Sequence, residues 1–79
     1  MTKPAYVIAV HAWHIVNDGD QEYCDPAEHA PDGWCVYVRD ESNHDAPDLE
    51  DEDHTTRDAA MQRAQELADK YPNAEIREY

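Results

Sequence analysis

Residues 6–16 read YVIAVHAWHIV. The run is rich in β-branched and aromatic residues, contains neither glycine nor proline, and is apolar at both alternating positions. A strand that is apolar on both faces is typical of the centre of a sheet, where both faces are partly covered. These residues therefore predict a central strand, and the other elements are placed around it.

A second strand is predicted at residues 34–39, which follow the turn sequence Pro-Asp-Gly. Side chains alternate across a strand. Those that face the core are Trp34, Val36 and Val38, and those that face the other way are Cys35, Tyr37 and Arg39.

A helix is predicted from Thr56 to Tyr71. Thr55 or Thr56 can cap its N-terminus, and Pro72 ends it. Its apolar stripe consists of Ala60, Ala64, Leu67, Ala68 and Tyr71. A last short strand over residues 74–79 would direct Ile76 into the sheet.

These elements predict an α+β fold: a small antiparallel sheet of three to four strands with one helix packed on one face, in the order β-β-(β)-α-β. The chain has 79 residues, and this length predicts a single domain over residues 1–79. Its oligomeric state is expected to be a monomer or a weak dimer.

The negative charge is concentrated in the middle of the chain. Nineteen acidic residues face six basic ones, for a net charge of −13, whereas about 2–8 charges keep a small domain soluble. Residues 1–16 carry +1, residues 17–54 carry −13 and residues 55–79 carry −1. A general solubility requirement would not leave the charges of the helix balanced and those of the middle segment almost all negative. Any one of the acidic runs can nevertheless be a solvated loop or a short disordered stretch.

Fourteen acidic residues of this middle segment are the candidate partner-binding residues. They are Asp18, Asp20, Glu22, Asp25, Glu28, Asp32, Asp40, Glu41, Asp45, Asp48, Glu50, Asp51, Glu52 and Asp53. Both stretches, residues 18–32 and 40–53, are expected to be surface connections of the sheet.

Carboxylates at this density can imitate the phosphates of DNA, which carries about one charge per 1.7 Å of axis. The expected partner is a basic DNA-binding protein or complex, whose arginines would pair with the carboxylates. Exposed aromatic anchors could come from Tyr23, Trp34 or Tyr37. Direct binding to nucleic acid or to an anionic membrane is disfavoured by the sign of the charge.

The sequence predicts no enzyme, no cofactor and no metal site. Ser42 is the only serine and has no nucleophile-elbow context, and two glycines cannot form a phosphate-binding loop. Cys24, His29 and Cys35 lack an obvious fourth ligand. If the intervening segment closed as a hairpin, the two cysteines could become cross-strand neighbours and form a disulfide. In a cytosolic protein, two free buried thiols are favoured over the disulfide.

The combination of about 80 residues, a β-rich α+β plan and a pI near 4.4 resembles small phage anti-CRISPR proteins that act as DNA mimics on type I surveillance complexes, in particular type I-C. The resemblance rests on no signature motif. It implies binding to a subunit of the Cascade complex, so that target DNA cannot load, in the cytoplasm of a bacterial host cell. The N-terminus has no signal-peptide pattern, which agrees with that compartment.

A more local resemblance favours an alternative function. Residues 33–38, 55–64 and 74–76 look like parts of small bacterial β-β-β-α-β domains, some of which are antitoxin-like. This alternative is a non-enzymatic interaction module that binds its partner through a sheet edge and an aromatic patch.

Overall fold

The computed structural model describes residues 5–43 and 45–79, except for the side chain of Asp18. Strand β1 spans Tyr6–Val16 and is followed by a short 3-10 helix, Asn17–Gly19. The remaining elements are β2 Asp20–Tyr23, β3 Gly33–Asp40, β4 Glu50–His54, α1 Arg57–Lys70 and β5 Ala74–Glu78. The predicted α+β class is confirmed.

Strand β1 is the centre of the sheet, as predicted. It pairs along one edge with β3 in antiparallel register, and β3 pairs in turn with β4. Its other edge is shared by β2, which is antiparallel, and β5, which is parallel. Because β2 and β5 lie end to end on this edge, Tyr23 and Tyr79 approach each other beside the middle of β1.

The helix packs on one face of the sheet through small side chains. Ile8 and Val10 of β1 and Val36 and Val38 of β3 form the core with the helix residues Ala60, Ala64 and Leu67, all of them fully buried. Alanine at two turns of the helix allows its backbone to approach the sheet closely. Ala68 and Tyr71, also in the predicted stripe, pack at the margin of this core.

The ends of α1 agree with the signals in the sequence. The hydroxyl of Thr56 accepts a hydrogen bond from the backbone N–H of Ala59 at 3.1 Å, which caps the first turn. The helix ends at Lys70, two residues before Pro72. Asn73, at φ 61°, then turns the chain into β5.

Two short strands lie where connections were expected. Residues 20–23 and 50–54 form β2 and β4, so the sheet has five strands instead of three or four. Aspartate and glutamate are disfavoured in strands, and β4 is the sequence Glu-Asp-Glu-Asp-His. Tertiary pairing with β3 overrides that local preference.

We expect Leu67→Ala to lower the free energy of unfolding by about 2–5 kcal/mol, because it opens a cavity where α1 meets the sheet. Urea unfolding monitored by circular dichroism would measure the loss. Leu49→Ala is the matched control, since the side chain of Leu49 is 46% exposed, and we expect a loss below about 1 kcal/mol. Equal losses in the two variants would contradict this description of the core.

Candidate functional site

Strand β4 divides its acidic residues between the two faces of the sheet. Val38 pairs with Glu50 and Val36 with Glu52, so these two glutamates share the face that α1 covers. Asp51 and Asp53 point to the opposite face, which no helix covers among the described residues and which we call the open face. The acidic run is therefore two sets of carboxylates with different surroundings.

The two glutamates of β4 are paired with cations of the helix. Glu50 accepts hydrogen bonds from Lys70 Nζ at 2.7 Å and from the Tyr71 hydroxyl at 2.8 Å. Glu52 accepts from Arg63 Nε at 2.8 Å. The hydrogen bonds from Lys70 and Tyr71 lower the pKa of Glu50. These contacts tie the edge strand to α1, so both glutamates have a structural role.

Other candidate carboxylates organise turns. Asp25 accepts from the backbone N–H of Ala27 at 2.9 Å, and Asp32 accepts from that of Ile15 at 2.7 Å. Asp40 accepts from both the hydroxyl and the backbone N–H of Ser42, and these bonds lower its pKa. The bonds to Asp25 and Asp40 come from residues two positions on and are Asx-type turns, whereas the bond to Asp32 ties its loop to β1. Each bond leaves less of the carboxylate for a partner.

Six candidate carboxylates form no hydrogen bond or ion pair with another described residue. They are Asp20, Glu22, Glu28, Asp45, Asp48 and Asp53. Glu41 lies 3.8 Å from Arg77 Nη1, and the side chain of Asp18 lies outside the description. All six belong to β2, β4 or the connections beside them, and all six are exposed.

The cations that follow β4 are already paired. Arg57 binds Glu78, Arg63 binds Glu52, Lys70 binds Glu50 and Arg77 binds Glu75, at distances of 2.6–2.8 Å for the shortest contact of each pair. Such surface pairs contribute only about 0–1 kcal/mol each. Because these cations are already bound to other carboxylates, they do not neutralise the six carboxylates named above.

Aromatic rings form a stack on the open face. The ring of His11 lies between those of Tyr23 and Tyr79, with centroids 4.2 and 4.4 Å away and nearly parallel planes. Tyr37 lies 5.8 Å from His11. Tyr23 is 56% exposed and Tyr79 51%, and burial lowers the pKa of His11. The stack is thus a solvent-facing, largely uncharged aromatic surface at neutral pH.

A cleft of about 280 Å³ opens beside this stack. It is lined by Trp13, Gln21, Glu22, Tyr23, Cys35, Asp51 and Asp53. Glu22 pairs with His14 and Tyr23 with Trp13, so the side chain of Glu22 points to the other face of the sheet, and the carboxylates of the cleft are those of Asp51 and Asp53. Trp13 can line the cleft because Gly33 lies beneath it: a Cβ there would overlap the indole ring and lie 3.0 Å from the carbonyl oxygen of His54. The volume is just below the range of about 300–1,000 Å³ that is usual for small-molecule sites.

The surroundings of the Cys35 thiol in the cleft do not activate it as a nucleophile. Cys35 is buried and its Sγ donates to Asp51 Oδ1 at 3.3 Å. Burial, this hydrogen bond and the neighbouring carboxylates raise its pKa to about 12. Only the thiolate is reactive, so Cys35 is a neutral donor to Asp51 at physiological pH.

Cys24 and Cys35 are not cross-strand neighbours, because β1 separates the two residues. Cys35 pairs with His11 on one edge of β1, while the backbone N–H of Cys24 donates to the carbonyl of Ala12 on the other edge. Two strand spacings, about 9–10 Å, exceed the Cα separation of about 7 Å that a disulfide can span. Both thiols are free, and the described residues contain no group of three His, Cys, Asp or Glu side chains that could hold a metal ion.

Sequence reasoning found part of this site. Of the three proposed aromatic anchors, Tyr23 is exposed on the open face, Tyr37 is half-buried there, and Trp34 packs against the core on the helix side. His11, Trp13 and Tyr79 were not identified. Alternation within β1 places His11 and Trp13 on one face, but only the meeting of β2 and β5 beside β1 brings Tyr79 to them.

Comparison of the chain with protein-family models, with curated proteins and with solved structures returned no match. No helix among the described residues has the length and apolar character needed to cross a membrane. The chemistry of the site must therefore be argued from its own residues.

We expect Glu50→Gln to destabilise the fold in a pH-dependent way. The folded state lowers the pKa of Glu50 below 4.5, so its contribution is complete above that value and is lost as the pH falls through the lowered pKa. The difference in unfolding free energy between wild type and variant, from urea titrations, should be positive at neutral pH and shrink as the pH drops below about 4. Asp53→Asn, on the same strand, is the control and should show no loss at neutral pH; equal losses would refute the assignment.

We expect Cys35 to resist alkylation in the folded protein. In a Cys24→Ser variant at pH 8, iodoacetamide should modify Cys35 roughly 100-fold or more slowly than free cysteine, because so little thiolate is present. Mass spectrometry would follow the reaction, and the rate should approach that of free cysteine in urea. Rapid modification without denaturant would show that the thiol is exposed or ionised.

Proposed function

We propose that the protein is a non-enzymatic inhibitor that binds a basic nucleic-acid-binding protein and occupies the place of the nucleic acid. The observation that carries the proposal is the set of six carboxylates that have no partner among the described residues, all within residues 17–54, beside a part of the chain whose cations are already paired. Leaving so many carboxylates unneutralised costs stability through self-repulsion. A binding role accounts for that cost.

The charge density is of the right order for mimicry. The longest dimension of the molecule is 40 Å. Thirteen net charges along this length correspond to one charge per about 3 Å, close to the 3.4 Å spacing along one strand of DNA. This spacing is the average over the whole molecule, and a groove that binds a nucleic-acid strand through arginine and lysine would meet the part of the charge that lies on one face. Long-range attraction would accelerate the encounter.

A type I CRISPR surveillance complex, the Cascade of the type I-C systems, is the particular partner that we propose, in the cytoplasm of a bacterial cell. This finer identity is supported by the resemblance in size, charge and fold plan and by no motif. Co-elution of the protein with purified type I-C Cascade in size-exclusion chromatography would test it directly.

We expect capture of the partner to depend on salt and on the unpaired carboxylates. Immobilised protein should retain the partner from bacterial lysate at about 0.05 M salt and release it at about 0.5 M, where screening is strong. The triple variant Asp45→Asn, Asp48→Asn, Asp53→Asn should bind at least about tenfold more weakly, because charge-assisted hydrogen bonds contribute about 1.5–3 kcal/mol each.

The control for this experiment is a triple variant of the helix with the same change in charge. It carries Asp58→Asn, Glu66→Gln and Asp69→Asn, and it should retain the partner like wild type. If both variants bind equally well, or both lose binding equally, a localised carboxylate surface is not the determinant.

Binding through an aromatic patch is the second candidate function, and the exposure of Tyr23 and Tyr79 favours it. In that case Tyr23→Ala would abolish capture and the triple variant of residues 45–53 would not. The two candidates therefore predict opposite results for the same pair of variants.

A further inference from the structure

We propose that the cleft on the open face receives the side chain of an arginine from the basic partner, with its guanidinium against Tyr23 and between the carboxylates of Asp51 and Asp53. This inference rests on the proposed function and deepens it, since it names the position where one partner residue would be anchored. Three features of the cleft support it: its rings, its charge and its size.

The rings suit a planar cation. The ring of Tyr23 is more than half exposed, is stacked on His11, and forms one wall of the cleft, while Trp13 forms another. Guanidinium groups stack on the faces of aromatic rings, and more favourably than the compact, strongly hydrated ammonium of lysine. A ring already held by its neighbour loses little freedom when a ligand stacks on it.

The charge suits the same ligand. The carboxylates of Asp51 and Asp53 line the cleft, and neither forms an ion pair with a described cation. The one side-chain hydrogen bond that Asp51 accepts from a described residue comes from the neutral thiol of Cys35. A guanidinium carries five donors in a flat fork that can bind two carboxylates at once.

The size favours one side chain over a larger ligand. A cleft of about 280 Å³ is small for a cofactor but adequate for a single long side chain. Trp13, on the wall of the cleft, also has a buried indole N–H that finds no acceptor among the described residues. Because this atom is not accessible from solvent, a ligand in the cleft would contact the indole ring and not its N–H.

Short peptides test this inference without the partner. Acetylated and amidated Gly-Arg-Gly, Gly-Lys-Gly and Gly-citrulline-Gly would each be titrated into ¹⁵N-labelled protein at low salt and followed by NMR. We expect saturable shifts for the arginine peptide, centred on the Trp13 indole N–H and on residues 21–23. The lysine peptide should bind several-fold more weakly, and the uncharged citrulline peptide should not bind.

Variants identify the groups responsible. The double variant Asp51→Asn, Asp53→Asn should weaken binding of the arginine peptide by about tenfold or more. Tyr23→Leu should weaken its binding by about two- to fivefold. Glu66→Gln with Asp69→Asn is the matched control and should bind like wild type. Dispersed amide spectra would establish that each variant is folded. If the double variant is not folded, the single variant Asp53→Asn takes its place.

The possible results separate this inference from the proposed function. Equal, diffuse shifts with the arginine and lysine peptides, or no loss in the Asp51 and Asp53 variant, would overturn the arginine site. If the partner is still captured in a salt-dependent way, the proposed function survives that failure. If the peptide binds as expected but no partner is captured, the cleft is an arginine site and the proposed function is wrong.

Discussion

Close packing of α1 against β1 and β3 is the interaction on which the rest of the structure depends. Ala60 and Ala64 allow the helix to approach the sheet, and Leu67 fills the space between them and the valines of β3. This core is small, and it must resist the repulsion of thirteen net negative charges. The helix relieves part of that repulsion, because Arg63 and Lys70 bind the glutamates of β4 from the same side. Packing and charge pairing thus stabilise one face of the sheet together.

The opposite face carries the features that we connect with function. With the helix on one side, the aromatic stack around His11 and the aspartates of β4 remain open to solvent. Edge strands are commonly protected from aggregation by charged residues, and β4 pairs only with β3 among the described strands. Protection of the edge explains why β4 is charged. It does not explain the aromatic cleft next to it, for which a binding role is the simpler account.

The sequence predicted those parts of the fold that local rules determine. Local sequence patterns predicted β1 from its apolar run and β3 from its alternation. They predicted α1 from its N-cap, its apolar stripe and the proline that follows it, and all three elements were confirmed. Strand β4 carries no such signal, because acidic residues have low strand propensity. The separation of paired from unpaired carboxylates depends on the register between β3 and β4 and on the docking of α1. The hairpin that would bring Cys24 beside Cys35 does not form, because β3 and the Cys24 segment lie on opposite edges of β1, which spacing in the sequence does not reveal.

The proposed function requires that this protein and nucleic acid compete for one surface of the partner. Fluorescence anisotropy of a labelled duplex bound to the captured partner measures this directly, with the protein added as the competitor. If the two compete, the labelled duplex is displaced completely at saturating protein, and the anisotropy falls to that of the free duplex. A stable ternary complex, in which anisotropy stays high or increases at saturating protein, would contradict the proposed function.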